Sequence, residues 1–251
     1  MSSRISTQCG QKSNVRFLAA LAWRVVEPQH QNSTRSLVDS DDEQELLEEL
    51  IESVKPPLTR PSKVHYLLFT PFRYPPLKHG SRFGSRHERG IWYGSLEIET
   101  ALAEVAYYRF LLREHSSARF GTLRMDLSSF SANVATKHGI DLCRKASSRF
   151  KKEISDPQSH TASQALGTTM RNGGVEAAVY WSARAPEAKN VAVFALRAFE
   201  KSRPNEPFTT WRCVTTDDVV EFKRANFHRH SPPIVFTKSS FYVRDRFPIC
   251  A

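Results

Sequence analysis

The spacing of apolar residues early in the chain predicts one amphipathic helix. Between Asp39 and Glu52 there are eight acidic residues and no basic one. Apolar residues recur among and just after these acids at offsets typical of a helical face; they are Leu46, Leu47, Leu50, Ile51 and Val54. Ser40 or Asp41 fits the N-cap, and the prolines at 56 and 57 end the helix. We expect its apolar face to pack on the rest of the chain, because so short a helix is marginal alone in water.

Downstream of a Pro-rich linker at residues 56–62, short apolar runs bounded by turn residues predict strands. The predicted strands are 64–69, 91–93, 121–127, 177–181, 191–196 and 210–214. A helix is predicted from Leu96 to Arg113 with Ser95 as its cap, and residues 140–170 indicate helix and loop. The residues of the helix at 96–113 that are predicted to face inward are Ile98, Leu102, Val105 and Leu112. Because strands and helices mix without a regular β-α-β alternation, we expect an α+β fold with a mixed or antiparallel sheet flanked by helices.

The size and charge of the chain limit its domain organisation, its location and the kind of partner it binds. Its 251 residues suit a single domain at 61–251, preceded by an N-terminal extension at 1–60 that carries the acidic helix. No run of 18 apolar residues is present and the first ten residues lack the apolar stretch of a secretory signal, so we expect a cytoplasmic protein without a membrane span. The net charge of +10 fits an anionic partner, which could be a nucleic acid, a phosphorylated small molecule or an acidic protein.

Common catalytic and metal-binding motifs are absent from the sequence. There is no phosphate-binding P-loop, no dinucleotide-binding GxGxxG with its acid, no HExxH and no GxSxG. The four cysteines are far apart and predict reduced thiols. His228 and His230 form a weak metal-binding pair. We therefore expect neither a metal nor a prosthetic group.

Polar residues that could bind a ligand or take part in catalysis are concentrated between residues 73 and 104. Arg73 and Tyr74 follow a predicted strand and precede two prolines, which would fix where their side chains point. Arg82 and Arg86 lie in a loop with two glycines, where backbone N–H groups can approach an anion. Since arginine binds phosphate oxygens in a bidentate way, such a cluster suits a pyrophosphate. A solvated basic loop explains the same composition.

Four further residues are candidates from their positions. Tyr93 ends a predicted strand, and Glu104, eleven residues later, lies on the following helix among apolar and aromatic neighbours. A carboxylate in such company usually has a partner or a function, and it can stabilise a developing sugar cation. Ser182 and Asn190 lie at strand ends, where hydroxyls and amides serve either as site groups or as turn formers.

Several short segments share a characteristic order and spacing along the chain. They are Phe72-Arg73-Tyr74, Gly80-Ser81-Arg82-Phe83-Gly84, Tyr93-Gly94-Ser95, Ala101-Leu102-Ala103-Glu104, Gly174-Val175-Glu176-Ala177, Tyr180-Trp181-Ser182-Ala183-Arg184 and Asn190. Taken in order, they resemble the RES domain toxins of bacterial RES–Xre toxin–antitoxin pairs. The resemblance covers roughly residues 61 to 240 and depends on the order and spacing of the segments rather than on any one of them.

This resemblance implies a compact fold like that of the ADP-ribosyltransferases. It also implies cleavage of the bond between nicotinamide and ribose in NAD, with phosphate or water as the acceptor. NAD would be a substrate and not a bound cofactor. The partners implied are NAD, inorganic phosphate and a cognate antitoxin protein. The resemblance allows a homo-oligomer. It implies no direct binding of nucleic acid and no binding to membranes.

The same resemblance assigns roles to individual residues. Arg73 would hold the phosphates of NAD, Tyr93 would stack on nicotinamide or its ribose, and Glu104 would stabilise the oxocarbenium-like transition state. The other positions that would contact NAD are Tyr74, Arg82, Ser182 and Asn190. The extension at 1–60 lies outside the minimal domain of the family.

Two alternatives to an NAD phosphorylase or glycohydrolase stay open. In the same fold, a protein ADP-ribosyltransferase would use a protein side chain as acceptor, but the sequence offers extra bases and no clear second acid. In another class, the net charge and the aromatic residues would suit a non-catalytic module that binds nucleic acid, although no motif of such modules is present.

Overall fold

One mixed sheet organises the chain. The computed structural model describes residues 5, 9–10, 14–27, 40–53, 63–74, 79–117, 121–225 and 232–249. The helices are α1 (Asp41–Ser53), α2 (Tyr66–Arg73), α3 (Ile98–His115), α4 (Lys145–Ser148), α5 (Lys151–Ile154) and α6 (Thr161–Asn172). The strands are β1 (Arg16–Val26), β2 (Trp92–Ser95), β3 (Leu123–Asp141), β4 (Ala177–Trp181), β5 (Lys189–Val193), β6 (Asn205–Thr215), β7 (Val219–Arg224) and β8 (Ile234–Thr237). The strand order is β1-β2-β5-β4-β3-β6-β7-β8, and β3 runs parallel to β4. The predicted α+β fold with a mixed sheet is confirmed.

Five of these strands close into a ring. β1 pairs with both β2 and β3, and the pairings continue from β2 through β5 and β4 back to β3. The length of β3 makes the closure possible, because its first part pairs with β6 and its later part with β1. Since side chains alternate across a strand, each strand of the ring has one inward and one outward face.

Apolar side chains fill the inside of the ring. The strand residues of this core include Leu18, Ala22, Trp92, Phe130, Val134, Val179, Val191 and Val193. Helix α2 adds Leu67, Leu68 and Phe72 to the same core. The sequence predicted a strand at 64–69 and that prediction is wrong, because a short apolar run is compatible with either element. A local hydrogen bond favours the helix: the Leu67 N–H donates to Nδ1 of His65, which is the N-cap.

Helices cover the outer face of the sheet in two places. Helix α3 packs Leu102, Ala106 and Phe110 over strands β3, β6 and β7. Helix α6 packs its apolar residues over β4 and β5 and against the segment around Phe83. This second contact is so close that a Cβ on Gly167 would lie 1.9 Å from the Phe83 carbonyl oxygen, so glycine alone fits there.

The first strand belongs to the same sheet as the rest of the chain. β1 pairs with β3 along nearly its whole length, so the sheet extends across the boundary that the sequence suggests near residue 60. Ile5 and Cys9, which precede it, are buried in the core under α6.

Helix α1 has the predicted bounds and the predicted cap, since the Glu43 N–H donates to the Ser40 hydroxyl at 3.2 Å. The prediction of inward packing is wrong for Leu46 and Leu50, which are both 56% exposed. Gln44 is buried and Leu47 is half-buried, so the helix is covered along the face that carries these two residues. The burial of Ile51 lies outside what the structure describes. The prolines at 56 and 57 and Val54 lie outside the described residues.

The other predicted elements are present with changed limits. Strand 177–181 has its predicted bounds, while the strand predicted at 121–127 continues to Asp141. The predicted helix at 96–113 is α3, in which Leu102 is buried but Leu112 is 50% exposed. Ser95 does not cap this helix, since Glu97 is its N-cap. The hydroxyl of Ser95 has a different partner, which lies in the candidate site.

Candidate active site

Glu104 lies at the centre of a hydrogen-bonded network on the outer face of the ring. It projects from α3 and is half-buried. Its Oε1 accepts hydrogen bonds from the Ser182 hydroxyl at 2.8 Å and from the Asn190 amide at 2.6 Å. Among the described residues, Oε2 accepts no hydrogen bond. The carboxylate is therefore fixed through one oxygen while the other is available to a ligand.

The orientation of Asn190 is set by Ser95. The Ser95 hydroxyl, which is buried, donates to Oδ1 of Asn190 at 2.7 Å. Register pairing of Ser95 with Asn190 in neighbouring strands places both side chains on the outer face. Because Oδ1 is occupied by a donor, the amide NH2 must point the other way, toward Glu104. Ser95 thus acts on Glu104 through Asn190.

We expect Ser95→Ala to reduce about tenfold the turnover of the reaction in which Glu104 takes part, because Asn190 would lose its fixed orientation. The affinity for the substrate should stay nearly unchanged. Urea unfolding should show a loss of about 1–2 kcal/mol, since a buried amide oxygen is left without a partner. Ser131→Ala is the matched control: Ser131 is a buried strand serine bound to Asn205, outside the network. An equal fall in turnover in both variants would show that the effect is one of general stability.

Ser182 serves both as a turn former and as a site group. Its hydroxyl accepts hydrogen bonds from the backbone N–H groups of Arg184, at 3.0 Å, and Ala185, at 3.1 Å. These bonds close the turn after β4 and leave the hydroxyl proton for Glu104. The turn that the sequence allowed is therefore present, and the same hydroxyl also binds Glu104.

Tyr93 fastens the loop at 81–84 to β2. Its hydroxyl accepts the Phe83 N–H at 3.0 Å and shares a hydrogen bond with the Ser81 hydroxyl at 2.9 Å. Burial raises the pKa of the Tyr93 phenol, and these two hydrogen bonds offset part of that rise. The phenol is therefore neutral at physiological pH. Its side chain lies on the same face of β2 as Ser95, two residues on.

Arg82 and Arg184 hold one segment of chain beside the network. Arg82 donates from both terminal nitrogens to the carbonyls of Ile154 and Asp156, at 3.0–3.1 Å. Arg184 donates to the Pro157 carbonyl at 3.0 Å and stacks on Tyr107. Both guanidiniums are buried, and within the described ranges neither forms an ion pair with a carboxylate. Their positive charge is therefore not cancelled locally by an acid.

His160, at the start of α6, lies near the same two arginines. Burial, together with the charges of Arg82 and Arg184, lowers the pKa of His160 to about 3. The imidazole is therefore neutral near pH 7. Together with the positive end of α6, the two guanidiniums make this side of the site electropositive.

The titration of His160 predicts a loss of stability in mild acid. Below pH 6.5 the unfolded chain protonates this histidine while the folded chain keeps it neutral, so stability falls as the pH drops toward about 3. Between pH 7.5 and pH 5 the Tm of His160→Asn should fall by about 4–8 °C less than that of wild type, because the wild type loses about 2 kcal/mol over this range. His115→Asn, at an exposed position, should show no such change. Parallel pH profiles for His160→Asn and wild type would contradict this.

Arg73 and Tyr74 are not part of this network in the described contacts. Arg73 is the last residue of α2, the helix that packs into the inside of the ring, and its guanidinium lies 5.5 Å from the Tyr74 ring centroid. Arg86 is exposed and bonds to His87. The structure thus joins Glu104, Ser182 and Asn190 by hydrogen bonds and places Arg82 and Tyr93 beside their common neighbour Tyr180. The Tyr74 carbonyl lies beside Gly90 instead, just before β2.

Sequence reasoning missed three residues of the site. It assigned Ser95 to a helix cap, treated Arg184 only as an extra base and gave His160 no role. One signal could have found Ser95: it is two residues after Tyr93 in the same strand, and residues so spaced share a face. Nothing in the sequence pairs Arg184 or His160 with Arg82, because the three are far apart along the chain.

Metal-ligand clusters and membrane-spanning helices are both absent from the described parts of the chain. These contain no group of three or more His, Cys, Asp or Glu side chains arranged to hold a metal. Their helices include none with the length and apolarity needed to cross a bilayer. His228, His230 and Cys250 lie outside the described residues, whereas Cys9, Cys143 and Cys213 are free thiols.

Comparison with known proteins gives a family match and a distant structural one. A family model described as the RES domain matches residues 57–215, more than half of the chain, and this segment includes the whole Glu104 network. No curated protein matches. Three solved chains match. One is from the crystal structure of the M. tuberculosis MbcT–MbcA toxin–antitoxin complex, with 10% identity and a TM-score of 0.47 over 82% of this chain and 89% of that chain.

Proposed function

Since the chain belongs to the RES domain family, we propose that it is an NAD-degrading enzyme that releases nicotinamide. The observation that carries the proposal is the Glu104 carboxylate, fixed through Oε1 by Ser182 and Asn190 and open at Oε2. A carboxylate held in this way can face a sugar carbon without reorganising. That is the property needed to stabilise a positive charge that develops during the reaction.

The proposed reaction requires little acid–base chemistry. When the bond between nicotinamide and ribose breaks, nicotinamide leaves with the bonding electrons and becomes neutral, so no proton donor is needed on the leaving side. The ribose becomes oxocarbenium-like, and Glu104 stabilises it. Phosphate or water then attacks the anomeric carbon. This agrees with a site made of hydrogen-bond donors and one carboxylate.

The basic side of the site fits the pyrophosphate of NAD. Arg82, Arg184 and Glu104 all act electrostatically on Tyr108, and the Arg184 N–H donates to Ser182, which binds Glu104. Within the described ranges the two arginines have no acidic partner, and the N-terminal end of α6 adds to the positive potential. We assign the phosphate contacts to this pair rather than to Arg73. The same excess of bases favours phosphate or water over a protein side chain as acceptor, so protein ADP-ribosylation is the lesser candidate.

We further propose that the chain acts as an intracellular toxin with a cognate antitoxin protein. The resemblance to RES–Xre toxins supports this role, and loss of NAD explains how such an enzyme would stop growth. Induced expression in bacteria should lower cellular NAD and arrest growth, and Glu104→Gln should abolish both effects. Growth arrest with normal NAD would contradict an NAD-based toxicity.

The direct test is to mix the purified full chain with NAD and to measure free nicotinamide by chromatography. Mass spectrometry of the other product distinguishes ADP-ribose from its phosphorylated form when inorganic phosphate is added. We expect nicotinamide release that depends on the enzyme concentration. A chain that is folded but releases none would overturn the proposal.

The two arginine assignments can be separated by paired variants. Arg82→Gln should raise the KM for NAD more than tenfold, because an amide can keep one carbonyl contact but loses the charge. Arg73→Gln should leave KM within about twofold, since the guanidinium of Arg73 lies over the Tyr74 ring at the end of α2 and does not contact Glu104, Ser182 or Asn190 in the described contacts. Melting curves of both variants serve as the folding control. The opposite pattern of KM values would return the phosphate role to Arg73.

A further inference from the structure

A second concave surface lies on the side of the sheet opposite to Glu104. It is a cavity of about 530 Å³ between the first half of β1 and the ends of β4 and β5. β1 and β2 pair only through Trp23 and Ser95, so the earlier part of β1 diverges from its neighbours on that side and leaves a gap. The cavity occupies this gap, and we name it the β1 groove; its lining includes Leu18, Val179, Lys189 and Arg144.

Strand register separates the β1 groove from the candidate active site. Val179 pairs with Asp141 and Trp181 pairs with Lys189, so Val179, Asp141 and Lys189 share one face of the sheet. Asn190, which follows Lys189, points to the opposite face and bonds to Glu104. The two surfaces therefore lie on opposite sides of β5.

The charged lining of the β1 groove is strongly basic. Arg16, Arg144 and Lys189 reach it from β1, from the turn after β3 and from β5. Within the described ranges none of these three forms an ion pair. The one acidic residue of the lining is Asp141, whose Oδ1 already accepts the Cys143 N–H at 2.9 Å.

An adjoining cavity extends this positive surface. It has a volume of about 240 Å³, shares Arg16, Asp141 and Arg144 with the first, and adds Lys145. Solvated surface lysines and arginines usually spread apart. Here four bases from three segments of the chain line two adjoining cavities, where low-dielectric walls concentrate their field.

The rest of the lining adds apolar contact. Leu18, Val179 and Leu96 form part of it, and Phe17 is 66% exposed at its side. Phe17 lies at a register shift of β1 between Arg16 and Leu18, and such a bulge re-aims a side chain. A large exposed aromatic ring beside convergent bases is suited to stack on a heterocycle whose phosphates meet the bases. The volume falls in the usual range of ligand sites.

We propose that the β1 groove is a second binding site, specific for a nucleoside diphosphate or triphosphate. The phosphates would contact Arg16, Arg144 and Lys189, and the base would stack on Phe17. This inference does not depend on NAD cleavage, because it concerns residues outside the Glu104 network.

Calorimetric titration of the full chain with ADP tests the proposal. We expect ADP to bind at low ionic strength and to bind more weakly as salt screens the charges. Arg144→Glu should weaken this binding about tenfold or more, because it reverses one charge of the groove. Lys223→Glu, an exposed base on β7, is the matched control and should bind as wild type does. Absence of ADP binding, or equal binding by Arg144→Glu and wild type, would overturn the proposal.

Two further titrations identify which surface binds ADP and which part of ADP is recognised. Since the proposed NAD site could also accept ADP, Arg82→Gln is titrated in parallel: retained binding supports the groove, and lost binding places ADP at Glu104 instead. Pyrophosphate replaces ADP in the last arm. Phe17→Ala should weaken ADP but not pyrophosphate, whereas equal binding of both ligands by wild type would overturn the nucleoside preference.

Discussion

Replacing Glu104 with glutamine is expected to slow nicotinamide release by roughly 30- to 1,000-fold, which corresponds to about 2–4 kcal/mol of transition-state stabilisation. Glutamine keeps an oxygen that can accept the hydrogen bonds of Ser182 and Asn190, so the local structure should persist. What disappears is the negative charge that would stabilise the sugar cation. The loss should therefore fall on kcat, with a much smaller change in NAD affinity.

The measurement is a steady-state assay of nicotinamide release, combined with calorimetric binding of NAD to the slow variant. Glu99→Gln provides the matched control, because Glu99 is an exposed glutamate on the same helix. Normal turnover in Glu104→Gln would make Glu104 a structural residue. Weak NAD binding with normal kcat would instead indicate that Glu104 stabilises bound NAD and not the transition state.

Replacing Ala22 with aspartate is expected to destabilise the fold by more than about 4 kcal/mol, enough to unfold most of the protein. Ala22 has 0% exposure and faces the inside of the ring, where its neighbours are apolar. A carboxylate there would be buried without a partner. Urea unfolding followed by circular dichroism measures the effect.

Leu21→Asp is the control for this variant. Leu21 is adjacent in β1 but is 45% exposed on the outer face, so its substitution should cost less than about 1 kcal/mol. Removal of residues 1–60 should be as severe as Ala22→Asp, because it takes away the strand that pairs with β3. A soluble and more active truncation would contradict the role of β1 in closing the ring.

The sequence predicted much of the candidate site but not its arrangement. Strand and helix periodicity placed Tyr93 at a strand and Glu104 on the next helix, and the apolar company of Glu104 marked it as unusual. The positions of Ser182 and Asn190 at strand ends followed from the same patterns. That Ser182 and Asn190 both bind one oxygen of Glu104 depends on pairing between β4 and β5 and on how α3 crosses them.

The basic residues show where local pattern fails. Arg73 and Arg82 looked equivalent in sequence, since both lie near glycines or prolines that hold the backbone. Packing distinguishes them: α2 enters the inside of the ring with Arg73 at its end, while Arg82 is held by carbonyls at residues 154 and 156. Contacts over such sequence distances carry no signal in a single sequence.

For the fold, apolar periodicity in the sequence by itself determined β4, α1 and α3, but it did not predict β1, β7 or β8. It predicted a strand at 64–69 where the structure has a helix, because so short an apolar run fits either element. Closure of the ring, the placement of α2 within it and the β1 groove were decided only by the tertiary structure. Each depends on which strands pair, and pairing is set by the joint burial of distant apolar faces, which no local window contains.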